Sequence, residues 1–383
     1  MYTIDTLVRD LNKSGHKAEV LTVDSAKNVF PQGMFLPYEV HKVHLSTHKE
    51  LLNLPRVLER FEKDFDIFHI TDPSLGPYAG SYKKNGGTAK VVCSLNTYFF
   101  CTNYVYMDGE CHKRCNFYLR TLHSTTSQAR RVLSFLPRLF QDQFIFPNMR
   151  YIDHFYPDSP AVKKIYSEFG FSKSKMTVIP EIIDFSHLGK PPQPRSFPVE
   201  KDKFKLLFVG RVVRAKGIHL LLSAMEKLDD LVTLTVCGNG PELETLKQLT
   251  RKLNLQNRVS FEGYVDYSML PEYFKTHDLF VHPGLWPEPF GRTIVESMYL
   301  GLPVLASNVG GPPWIIGSTG VTFERGDVED LTNKLLGLVE NPKQLSTLSK
   351  SGEQRAKRFD GKTIFKKQLK EYERLLSSAP HSD

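Results

Sequence analysis

No apolar run in this chain approaches the roughly 20 residues needed to cross a bilayer. Its first residues, MYTIDTLVRDLNK, also lack the apolar block of a signal peptide, so a cytoplasmic protein is expected. Cysteine is scarce. Cys93, Cys101, Cys111, Cys115 and Cys237 are a sparse, odd set for 383 residues, which argues against a disulfide scaffold and predicts free thiols. Low-complexity tracts and internal repeats are missing too, which argues against a solenoid or a disordered chain. Charge of one sign is only slightly in excess: 50 Lys and Arg face 42 Asp and Glu, a formal +8 that favours contact with phosphate groups but makes no polybasic module. What is present is the balance of a globular protein, 40% hydrophobic and 24% charged, with a length that predicts two domains.

The stretch GKPPQPRSFPVEKDK (189–203) breaks every helical and strand period. It divides the chain into a domain over 1–190, a linker over 191–203 and a second domain over 204–360. In that second domain short apolar runs alternate with helical spacing. FKLLFVG (204–210), LVTLTVCG (231–238), RVSFEG (258–263), DLFVHP (278–283) and LPVLASNVGG (302–311) read as strands. Between them IHLLLSAMEKL (218–228), PELETLKQLTRKL (241–253), SMLPEYFKT (268–276) and GRTIVESMYLG (291–301) read as helices. This alternation predicts an α/β fold with a parallel sheet covered on both faces. The first domain has the same grammar in weaker form: a helix over 2–14, strands at 17–23, 65–70 and 89–95, and KMTVIPEIID (175–184) closing it. A last helix, over 361–376, spaces Ile364, Leu369, Tyr372 and Leu376 near a 3.6 period, and 361–383 is expected to pack back on the first domain.

Open parallel sheets bind ligands beyond the carboxyl ends of their strands, and three such segments carry chemistry. In Gly210-Arg211-Val212-Val213-Arg214-Ala215-Lys216-Gly217, Arg211 and Lys216 can converge on a phosphate group, or can equally be solvated loop cations. In Cys237-Gly238-Asn239-Gly240-Pro241 the glycines allow a ligand close to the backbone, or simply make a tight strand-to-helix connection. The third segment runs from His282 through Glu288 and Phe290 to Glu296. There Gly291, Arg292 and Thr293 should open a helix whose free N–H groups form an anion site. Glu288 before that helix and Glu296 inside it can accept hydrogen bonds from a ligand rich in diols, although a Glu near a helix start is also a routine dipole partner.

With Glu288 and Glu296 set in EPFGRTIVESMYLGLPVLASNVGG, this domain resembles the retaining glycosyltransferases of family 4. The resemblance covers about 204–340 closely and extends loosely back to residue 2. It implies a GT-B fold, two Rossmann-like domains with parallel sheets facing across a cleft. It also implies transfer of a hexose-type sugar from a UDP- or GDP-linked donor, with no bound metal and no cofactor beyond that substrate. By the same resemblance Arg211 and Lys216 hold the diphosphate, and Gly238 and Gly240 lie beside the nucleotide. Glu296 takes the ribose diol, and Glu288 with the backbone of Phe290 and Gly291 takes the sugar. Catalytic roles therefore fall to Glu288, Arg211 and Lys216. The acceptor implied is a glycan or a lipid-linked glycan.

Three positions depart from the family pattern. The strand and Gly-Gly loop expected ahead of the first helix are not in the sequence, which leaves open a catalytically inactive protein that binds nucleotide or membrane. Asn96 stands where a His often meets the donor sugar; it can hydrogen-bond a hydroxyl but not titrate. Trp314 follows Gly310-Gly311-Pro312-Pro313 where Glu is usual. On the acceptor side, 111–141 contains no acidic residue, and Lys113, Arg114, Arg120, Arg130, Arg131 and Arg138 lie among apolar residues. That pattern fits an interfacial helix on the anionic inner face of the cell membrane, or a core-facing helix with a solvated basic side. Cys101, Cys111, His112 and Cys115 could bind zinc but are irregularly spaced, His69 sits at a strand end as a buried structural His or an acceptor contact, and nucleic-acid motifs are lacking.

Overall fold

The structure is a computed structural model and describes residues 2–23, 37–45, 47–98, 146–191, 196–198 and 203–378. These fall into two compact units, one built from residues up to 182 together with 361–378, the other from 183–360. The chain changes unit at 182–183, ahead of the Pro-rich stretch. Ile183, Phe185 and Leu188 are buried in the second unit's core, so the linker 191–203 begins only after that unit has.

The second unit is a six-stranded parallel sheet. Its strands are β6 (Phe204–Val209), β7 (Val232–Cys237), β8 (Val259–Gly263), β9 (Leu279–His282), β10 (Val304–Ser307) and β11 (Val321–Phe323). They are ordered β11-β10-β9-β6-β7-β8, the doubly wound arrangement in which the order reverses between β6 and β9. Strand β6 shows why it lies at the centre. Phe204, Leu206, Leu207, Phe208 and Val209 are all buried, because a parallel strand covered on both faces needs apolar side chains on each.

Alternation along β6 sorts its side chains into two cores. Leu206 and Phe208 pack with α6 (Ile218–Met225), α7 (Leu243–Lys252), α11 (Val328–Val339) and α12 (Pro342–Ala356). Leu207 and Val209 pack with α8 (Leu270–Thr276), α9 (Arg292–Tyr299) and α10 (Pro312–Ile316). The later helices start on explicit caps: Asp327 accepts from the Asp330 N–H for α11, and Asn341 from Gln344 N–H, with Pro342 at the first position, for α12.

The first unit carries α1 (Tyr2–Lys13), β1 (Val20–Val23), β2 (Val40–Val43), α2 (His48–Leu51), α3 (Leu54–Phe61), β3 (Ile67–Ile70), α4 (Gly76–Lys84), β4 (Lys90–Leu95), β5 (His154–Pro157) and α5 (Pro160–Glu168). All strand pairs are parallel, but the described strands form two sheets, β1-β2 and β3-β4-β5. A groove lined by Val20, Leu21, Leu54, Phe61, Phe68 and Ile70, among others, opens along β1 and β3. Segment 175–184 is not a strand; it makes single bridges, Phe155 with Met176 and Ile183 with Asp360.

The last helix, α13 (Gly361–Ser377), belongs to this first unit. Ile364, Phe365, Tyr372 and Leu375 are buried with Leu7, Val92, Tyr156, Ile179 and Ile182. The expected stripe is therefore rotated by one residue at its end: Leu375 faces the core, and Leu376 is 49% exposed. Among the described residues no helix is long and apolar enough to cross a membrane.

Candidate active site

The reversal between β6 and β9 makes a crevice at the carboxyl ends of those two strands, so the loops leaving them become neighbours. The β6 loop ends at Gly217, whose φ of +70° lies in the left-handed region. A Cβ there would come within 1.8 Å of the Pro283 carbonyl oxygen, so only glycine lets the β6 loop lie on the β9 loop. The Leu285 N–H donates to the Ala215 carbonyl at 2.8 Å and fastens the two loops together.

This close pass brings Lys216 and Glu288 together. The Lys216 ammonium donates to Glu288 Oε2 in a short ion pair, and the Trp286 indole N–H donates to the same oxygen at 2.9 Å. The ammonium lies 5.7 Å from the centroid of the Trp286 ring, and His282 Nε2 lies 3.8 Å from Oε2. The Lys216 and Glu288 side chains are each only 17% exposed. Burial works against ionisation of Glu288, but Lys216, His282 and the Trp286 N–H outweigh it and hold the carboxyl below its ordinary range. Burial, helped by Lys216, pushes His282 down to about 4, so its ring is neutral at physiological pH.

The Glu288 backbone is fixed from behind. Gly311 N–H donates to its carbonyl at 2.7 Å, and Gly310, at φ +74°, has room for no side chain: a Cβ would sit 2.6 Å from both Glu288 N and O. Gly238 and Gly240 serve loop packing as well, since a Cβ on either would strike the carbonyl of Gly210 or Val212 in the β6 loop.

Glu296 is in a different setting. It is on the buried face of α9 with no exposed surface, and Tyr267 donates its hydroxyl to Oε1 at 2.5 Å. Arg292, one turn earlier, has Nε 3.6 Å from the same oxygen. Tyr267 also packs against the His187 ring at 4.5 Å. Gly291 caps α9 from the left-handed region, with Arg292 and Thr293 as its first residues, and as a glycine it offers no side chain to the helix start. The Phe290 side chain is in the core against Phe359, so only its backbone remains for a ligand.

Other predicted residues are not drawn into this cluster. The Arg211 side chain is exposed and makes no hydrogen bond or ion pair among the described residues. Asn96, in the first unit, donates to the Thr71 carbonyl at 3.0 Å. His69 has both nitrogens engaged, Nδ1 with Tyr372 Oη at 2.5 Å and Nε2 with Ser94 Oγ at 2.8 Å, the arrangement of a structural His. Trp314 packs on Phe359 at 5.4 Å. Cys93 and Cys237 are free, buried thiols. Cys101, Cys111, His112, Cys115 and the basic stretch 113–138 lie outside the described residues. Among the described residues Glu19, Glu39 and His41 of the first unit lie within metal-ligand reach of one another, but His41 and Lys17 already pair with Glu19 at 2.7 and 3.3 Å. Trp286, His282 and Tyr267 carry no role that the sequence alone assigns. Trp286 was visible two residues before Glu288, but its indole N–H shows its use only once the loop is folded.

The Glycosyltransferase Family 4 profile matches residues 2–187, and the Glycosyl transferases group 1 profile matches 190–355. The chain belongs to the family 4 glycosyltransferases. A 2-deoxystreptamine N-acetyl-D-glucosaminyltransferase from Niallia circulans is 29% identical over 185 residues, 46% of this chain and 47% of that protein. A glycogen synthase from Mycobacterium tuberculosis is 30% identical over 203 residues, 51% of this chain and 48% of that protein. The matched part thus spans about half the length of these two relatives or less. Among solved structures, Anabaena HepE in complex with UDP superposes with a TM-score of 0.72 at 18% identity, covering 97% of this chain and 95% of that one. Sucrose-phosphate synthase from Thermosynechococcus elongatus gives 0.73 at 21% identity, covering 97% and 92%. These likenesses show that this glycosyltransferase has the GT-B fold, with two Rossmann-like domains.

Proposed function

We propose that this family member is a retaining transferase that moves a hexose-type sugar from a UDP- or GDP-linked donor to a glycan or lipid-linked acceptor. The observation that supports it most is the pairing of Lys216 with Glu288 at the β6/β9 switch point, a cation for a diphosphate beside a carboxylate for sugar hydroxyls. Exposed Arg211, in the same loop as Lys216, offers a forked contact to the second phosphate. Together they neutralise charge as the nucleoside diphosphate departs, the electrostatic work that a metal does elsewhere, so the reaction proposed needs none. The start of α9, capped by a glycine, adds the positive end of a helix dipole beside the same loops.

The hydroxyl-rich ends of the donor meet the two carboxylates. Glu288 with the Phe290 and Gly291 backbone accepts from the sugar, and Glu296, which has no exposed surface here, takes the ribose diol once the donor displaces the groups that cover it. Retention follows from departure and attack on one face of the sugar, the leaving phosphate taking the acceptor proton, so no protein nucleophile is assigned. The basic stretch 113–138 is proposed to meet an anionic membrane surface that carries the acceptor. The test is a thermal-shift panel of UDP-, GDP- and ADP-sugars: a saturating donor at a hundred times its Kd stabilises the fold by about 2.7 kcal/mol. One nucleotide should raise Tm, and none doing so would remove the reading.

A further inference from the structure

The ion pair between Lys216 and Glu288 sets two assignments against each other. Under the function proposed above, on which this inference rests, Lys216 serves the diphosphate and Glu288 the sugar. In the structure, however, the ammonium is engaged with Glu288 Oε2. Trp286 donates to that same oxygen at 2.9 Å, and every side-chain hydrogen bond to Glu288 among the described residues falls on Oε2.

We propose that donor binding hands Lys216 over from Glu288 to the diphosphate, and that Trp286 is the positioning residue that keeps Glu288 aimed once the ammonium has left. The two partners differ in mobility. Lys216 is a compact charge on a flexible stem and can turn to a new anion while staying near the indole ring, 5.7 Å away. Glu288 is on a backbone clamped by Gly310 and Gly311 and stays in place. A diphosphate offers more charge and more oxygens than one carboxylate, so it wins the ammonium. Departure of Lys216 would leave Oε2 in a largely buried site without its cation. The Trp286 N–H then supplies the remaining donor there, and Oε1 is left for a sugar hydroxyl. The hand-over makes the nucleotide compete with Glu288, so a diphosphate without sugar binds below its full strength.

Calorimetric titration of the full chain with UDP and with GDP tests this, alongside donor-turnover kinetics. Glu288→Gln removes the competing charge and should tighten the nucleoside diphosphate several-fold while transfer collapses. In a Lys216→Met background the same substitution should no longer tighten it, since the gain runs through Lys216. Trp286→Phe keeps an aromatic ring but not the N–H: nucleotide affinity and donor KM should hold within about twofold while kcat falls about tenfold, as for an interaction made mainly in the transition state. Unchanged or weaker nucleotide binding by Glu288→Gln, or equal tightening with Lys216 gone, overturns the hand-over. Parallel loss of nucleotide affinity and kcat in Trp286→Phe overturns the positioning role. If the wild type binds no nucleoside diphosphate at all, it is the proposed function that fails.

Discussion

Two glutamates eight positions apart end in opposite environments. Glu288 keeps 17% of its side chain in solvent and faces a cation, whereas Glu296 is sealed on α9 and leans on the Tyr267 hydroxyl. Tyr267→Phe takes that hydroxyl away and leaves a buried carboxylate short of a donor. It should lower stability by about 1–3 kcal/mol in urea unfolding. It should also weaken donor binding, because Glu296 loses the partner that orients it. Gly310→Ala tests the clamp on Glu288: its φ of +74° and the 2.6 Å approach to Glu288 N and O predict at least about 1 kcal/mol of destabilisation with turnover largely lost. The paired glutamates and the two cations were legible as residue types. The Trp286 and Tyr267 contacts were not, because a hydrogen bond to a residue in the same loop or on another element has no signature in spacing.

The central strands of the second unit could be read from sequence, since β6, β7 and β9 are apolar runs ended by Gly or Pro. Those of the first unit were harder. Strand β2 is VHKV and β5 is HFYP, and polar or Pro-containing segments of four residues carry no clear period. Helix α13 was read in the right place with Ile364, Leu369 and Tyr372 on its core face, and only the last position slipped, because three or four residues beyond Tyr372 a 3.6 period tolerates Leu375 or Leu376 equally. The structure therefore predicts that Leu375→Ala costs about 2–5 kcal/mol, whereas Leu376→Ala stays within about 0.5 kcal/mol. Chemical denaturation of the two variants separates these orientations.

At the scale of the whole molecule, buried histidines set the acid limit. Burial holds His69, His154 and His282 each down to about 4, well below the ordinary 6.5. At these three sites the unfolded chain therefore binds more protons than the folded one between those values, so the stability they contribute falls as pH drops from 6.5 towards 4. Melting curves across that interval should show a steady decline in Tm, shallower in His69→Gln. The topology adds what no local pattern could: Lys216 and Glu288 meet because the strand order reverses between β6 and β9, so their pairing was invisible until the sheet was assembled.

The measurement that bears most directly on the central claim is nucleotide binding by the wild type and by Lys216→Met. If the switch-point pair is a donor site, UDP or GDP should raise the wild-type Tm in a dose-dependent manner. The variant, stripped of a charge-assisted contact, should need about ten- to a hundredfold more nucleotide for the same shift. Equal shifts in both proteins, or none in the wild type, would contradict it.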